Sequence, residues 1–128
     1  MNKEYIIRVA GFVAAIIFLQ TLYFKFTGHQ ESVELFTKLG VEPWGRWATG
    51  IIELIASIML IIRKTSALGA LAGLGLMTGA IGSHLLVIGI DTNGDGGTLF
   101  TLAIAAFVCC AFVLVSRIDD LKALIGLK

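Results

Sequence analysis

Charge is scarce in this sequence. Only 15% of its 128 residues are Asp, Glu, Lys or Arg, against 57% hydrophobic residues. A soluble domain of this size needs more polar surface to stay dissolved, so the excess apolar surface faces lipid. The net charge is only +1. No basic block resembles a nucleic-acid arm or a polybasic lipid-binding tail, which excludes nucleic acid as a partner. Cysteine is also scarce. Its two copies, Cys109 and Cys110, are adjacent within an apolar run. Neighbours on a helix point in different directions, so they suit neither a disulfide nor a metal site. No CxxC, CxxCH, phosphate loop, zinc spacing or serine triad is visible. No small-x-small cleavage site follows Lys3, Arg8 and the first apolar stretch, which therefore reads as an uncleaved transmembrane helix.

What the chain does have is four apolar segments. They run over about Val9–Phe24, Ala48–Ile62, Ala67–Ile90 and Thr98–Val115. About 20 helical residues cross the hydrocarbon core. With flanking residues the predicted helices are 6–26, 45–62, 67–90 and 98–116. Trp44 suits an interface at the start of the second. Backbone groups in lipid must be paired internally, which leaves helices or a closed barrel. The runs lack the alternation of barrel strands. The expected fold is therefore all-α, a transmembrane four-helix bundle in a single domain over residues 1–128.

Lys and Arg counts give it a direction. Lys3, Arg8, Arg63, Lys64, Arg117, Lys122 and Lys128 fall on one side; Lys25, Lys38 and Arg46 fall on the other. Positive residues stay inside, so both termini are expected in the cytoplasm. The connection Arg63–Ser66 is short and makes the second and third helices antiparallel neighbours. In the long first outer connection, Val33, Phe36 and Leu39 share a face, with Gly40 and Pro43 beyond. This predicts a short amphipathic helix on the outer surface. The tail after Arg117 has Ile118, Leu121, Leu124 and Ile125 at helical spacing and reads as an extension of the fourth helix.

The third helix carries Gly69 and Gly73, then Gly75, Gly79 and Ser83, at four-residue spacing. Small residues let helix backbones approach closely in lipid. Both sets are expected to pack, making this the central or most tightly packed helix. The same pattern also allows a homo-oligomer face.

Ionisable residues inside a span are costly and so mark candidate functional positions. Glu53 lies six residues from Trp47, and His84 six from Ile90, each ~9 Å deep at 1.5 Å per residue. Gln20 lies at a similar depth of ~8 Å. Arg46, Thr49, Glu53 and Ser57 form one polar stripe that must face the bundle interior. The expectation is a polar pocket in the outer half, built from Gln20, Glu53 and His84 and capped by Lys25 and Arg46. The alternative is that these groups only hydrogen-bond one another and lock the packing.

Asp91, Asn93 and Asp95, around Gly94 and Gly96, match the first half of a calcium loop. Leu102 stands where its bidentate Glu belongs, and Asp, Asn and Gly also make ordinary turns. The turn is the preferred reading and no metal is expected.

Four short motifs then combine. They are Lys25-Phe26-Thr27-Gly28, Gly50-x-x-Glu53, Gly79-Ala80-x-x-x-His84 and Asp95-Gly96-Gly97-Thr98-Leu99-Phe100. Their order resembles the DoxX family of small four-helix membrane proteins over nearly the whole chain. The resemblance implies a multi-pass protein of a prokaryotic cytoplasmic membrane. It also implies a redox link, because the named member is similar to a subunit of thiosulfate:quinone oxidoreductase and other relatives are linked to quinone or oxidative stress. A membrane subunit of a quinone-linked system, with no intrinsic cofactor and a partner subunit, is the first functional expectation. Related folds act in trafficking or assembly, so a non-enzymatic factor that binds a partner protein through its helices is the second.

Overall fold

The computed structural model describes residues 3–91, 94 and 96–126. Among the described residues there are six α-helices and no strand. They are α1 (Lys3–Thr27), α2 (Gln30–Lys38), α3 (Trp44–Ile61), α4 (Ser66–Ser83), α5 (Thr98–Ser116) and α6 (Ile118–Leu124). Four of them are long and apolar enough to cross a membrane: α1, α3, α4 with the turns flanking it, and α5. Large apolar side chains such as Ile16, Ile51, Ile58, Val108 and Val115 face outward, as contact with lipid requires.

The helix ends follow local chemistry. Glu4 in the first turn of α1 and Lys25 in its last complement the helix dipole. The imidazole Nδ1 of His29 accepts the Glu31 N–H at 3.3 Å and caps α2. At the other end of α2, Gly40 adopts φ +76°. Its N–H donates to Thr37 O and the Val41 N–H to Phe36 O, the paired bonds that stop a helix when the next residue is left-handed. The tail does not simply continue α5. The chain breaks at Arg117 (φ −118°, ψ 25°) before α6 begins.

Around the bundle α1 packs against α3 and α5, and α4 packs against the same two helices. The closed half lies toward the two ends of the chain. Its core is Ala14, Ala15 and Phe18 of α1, Ala56 and Leu60 of α3, Ala70 of α4, and Ala106, Cys110 and Val113 of α5, all buried. The small residues bring the axes together. At the rim of that half, both Arg117 guanidinium ends hold Glu4, at 3.0 and 2.7 Å, and Arg63 pairs with Asp120.

The glycines of α4 divide in two, which corrects the expectation that both sets pack. A Cβ on Gly69 would lie 2.8 Å from Leu60 N and 2.9 Å from Ala56 O. One on Gly73 would lie 2.7 Å from Cys110 Sγ. A Cβ on Gly75, Gly79 or Gly82 would meet nothing within 4 Å. The α4 span is also the least buried of the four and α3 the most, so α4 is neither central nor the most tightly packed helix.

Candidate functional site

Where the small-residue core ends, near Phe18 and Met77, the four spans part. They enclose an open cavity of about 950 Å³. Its walls are the Ile17–Lys25 stretch of α1, the Trp44–Glu53 stretch of α3, α4 from Gly75 onward, and the start of α5. The inner face of α2 covers one side through Leu35, Phe36 and Leu39. Gln20, Gly75 and Gly79 line the cavity and are exposed, so it communicates with the surroundings of the bundle. Most of the lining is apolar. The volume sits at the upper end of the usual range for small-molecule pockets.

Glu53 is only 3% exposed. Among the described residues its carboxylate is held by two side chains of α1. Lys25 Nζ forms an ion pair with Oε1, and Thr21 Oγ1 donates to Oε2 at 3.0 Å. Lys25 Nζ also lies 3.3 Å from Thr21 Oγ1. Thr21 and Lys25 are four residues apart on one face of α1, which is why both reach the same carboxylate. A buried charge needs such partners, since desolvation alone would cost several kcal/mol. Below it, Ser57 Oγ returns a hydrogen bond to Glu53 O at 2.7 Å.

His84 stands on another wall. After Ser83 the α-helix gives way to a π turn, His84–Ile88, closed by the Gly89 N–H donating to His84 O at 2.7 Å. Gly89 has φ +91°, a conformation that glycine tolerates and that ends the span. The His84 Nδ1 lies 2.9 Å from Gly89 O. A carbonyl can only accept, so Nδ1 carries the proton and Nε2 is the basic nitrogen of the neutral ring. The ring meets Phe100 edge to face, with centroids 5.6 Å apart. Single π turns inside helices recur at functional positions.

Of the five residues singled out in the sequence, Gln20, Lys25, Glu53 and His84 line this cavity. No hydrogen bond joins Glu53 to His84; each has its own partners. Arg46 is buried but is not part of the lining. Its Nε donates to Glu42 at 2.9 and 3.0 Å, and its Nη1 donates to Lys25 O, fastening the end of α1 to α3. Thr21 was not singled out, although its place four residues before Lys25 is a usable signal. Of the calcium-loop candidates, Asn93 and Asp95 lie outside the described residues. Asp91 Oδ1 accepts the Gly96 N–H at 3.2 Å, an ordinary turn bond. No group of three or more His, Cys, Asp or Glu with metal-holding geometry occurs among the described residues.

Residues 9–115 match the DoxX-like family. The chain belongs to the DoxX-like family. The match covers most of each of the four apolar helices and every residue that lines the cavity. Together the family and the four apolar helices mark a multi-pass membrane protein. No curated protein and no solved structure matches the chain.

Proposed function

We propose that this DoxX-like protein is a membrane subunit of a quinone-linked redox or oxidative-stress system. In this reading it sits in a prokaryotic cytoplasmic membrane with both ends in the cytoplasm and the cavity toward the outer face. The observation that carries the reading is the cavity itself. It is large and apolar, yet has an ion-paired lysine on one wall and a histidine with a basic Nε2 on another. A quinone headgroup is a flat ring with an oxygen acceptor at each end. Its reduced form, the quinol, carries a hydroxyl at each end, so the site needs a donor at one end, an acceptor at the other and apolar surface between them.

The residues present fit that group. Lys25 has three N–H donors and uses two on Glu53 and Thr21. The third is available to a headgroup oxygen. Glu53 keeps Lys25 charged and aimed. His84 Nε2 takes a proton from a headgroup hydroxyl, or returns one, while its Nδ1–H stays on Gly89 O. Gly75 and Gly79 leave the α4 wall flat, so a ring can lie against the backbone. Leu35, Phe36 and Leu39 of α2 exclude water. A bound quinone supplies two-electron, two-proton chemistry. The electrons come from a partner subunit or a diffusible reductant.

Trp44 lines the cavity and Trp47 does not, so a Trp47→Phe background gives a local reporter. A short-chain quinone is expected to quench Trp44 fluorescence saturably in detergent-purified protein. In the same background, His84→Phe should weaken binding of the quinol, read from its competition with the quinone, by about tenfold, the usual worth of one hydrogen bond. Quenching that rises linearly without saturation would rule out a site.

A further inference from the structure

At the opposite end of the bundle, the geometry points to a second site, for the phosphate of an anionic phospholipid, between Arg8, Arg63 and Arg117. It stands on observations separate from the quinone reading. A niche of about 10 Å³ opens there between α1, α3 and α5, and all three arginines line it. Among the described residues, two carboxylates lie against these three cations, and Glu4 feels all three. Glu4 is held by Arg117, with Arg63 Nε 3.5 Å away, and Asp120 is held by Arg63. Arg8 is exposed and has no ion-pair partner among the described residues. Its guanidinium lies only 6.0 Å over the Phe12 ring. Arg117 is 5% exposed, and its Nε is buried without a hydrogen-bond partner.

The accessible cations at the mouth of the niche are Arg8 and Arg63, and Arg8 has no counter-ion within ion-pair distance among the described residues, so this corner has unspent capacity for an anion. The niche has room for about one water, and a phosphate would sit at its mouth. Position argues for a lipid source. The cluster rings the bundle where α1 begins, α3 ends and α5 ends, which is the headgroup level of one leaflet. Below it Phe12 and Ile61 line the same niche and are exposed on its flanks, giving an acyl chain an apolar track beside a phosphate held by Arg8 and Arg63. Basic pockets between spans at such a rim bind anionic headgroups, at about 1 kcal/mol per Lys or Arg.

The test is native mass spectrometry of the purified protein after exchange into equal mixtures of phosphatidylglycerol and phosphatidylcholine. Wild type should retain phosphatidylglycerol preferentially. Arg8→Gln touches no ion pair of the fold and should cut that preference by about fivefold. Lys64→Gln, a neighbouring charge outside the niche, should leave it unchanged. Equal loss in both variants, or no preference in wild type, would overturn the site. A second arm adds inorganic phosphate alone. If phosphate displaces the lipid and stabilises the protein as well as phosphatidylglycerol does, the site is one for free anions and the lipid assignment fails.

Discussion

Lys25→Met should destabilise the folded bundle by about 3–5 kcal/mol, the usual cost of stranding one partner of a buried ion pair. The Glu53 carboxylate would keep only Thr21 Oγ1, at 3.0 Å, in a site 3% exposed. Glu53→Leu should be costly too, because it strands Lys25. The double variant Lys25→Met with Glu53→Leu should recover most of the loss, since an apolar pair of similar volume removes both desolvation penalties. Reversible unfolding in mixed detergent micelles reads all three variants. Additive losses in the double variant would show that the two side chains are not coupled. The cycle also separates structure from function. A well-folded double variant that no longer binds quinone places the role of the pair in the cavity, and not only in packing.

The second large effect is a contrast between two glycines six residues apart. Gly69→Ala puts a methyl group 2.8–2.9 Å from backbone atoms of α3, which cannot rotate away as a side chain can. The helices must separate, at a cost of about 1–3 kcal/mol or more. Gly75→Ala meets nothing within 4 Å and should change stability by no more than about 0.5 kcal/mol. Thermal melts of the two variants in one detergent check this directly. Equal melting temperatures would mean that α4 does not lie against α3 as described.

Much of the fold was legible because the bilayer imposes lengths. Four apolar runs of near-spanning length leave helices as the solution once strand alternation is absent. The end of α2 was legible from Gly40, whose positive φ stops the helix. The inward direction of the α3 stripe was legible as well, since Arg46, Glu53 and Ser57 are all buried. The rest depended on rotation about the helix axes, which sequence position does not give. Depth counting put Glu53 and His84 at one level, but the azimuth of Glu53 carries it to Thr21 and Lys25. The same limit hid the division of the α4 glycines. Four-residue spacing shows that Gly75 and Gly79 share a face, not whether a neighbour occupies it. The π turn at His84 has no sequence signature beyond Gly89 closing it, and it is this turn that sets the imidazole on the cavity wall. Arg46 shares its stripe with Glu53, but Glu42 one turn earlier captures its guanidinium.

On the proposed function, a quinone enters the cavity between Lys25–Glu53 and His84. Photolabelling with a short-chain azidoquinone in lipid nanodiscs, mapped by peptide mass spectrometry, tests it most directly. Labels are expected on cavity-lining segments of α1, α3 and α4, such as those holding Thr21, Thr49 and Gly79. Gly79→Leu, which adds a side chain into the cavity where a Cβ meets nothing within 4 Å, should abolish those labels in a normally folded protein. Labels confined to outward residues such as Ile16, Ile51 and Val115, and unchanged by Gly79→Leu, would contradict it.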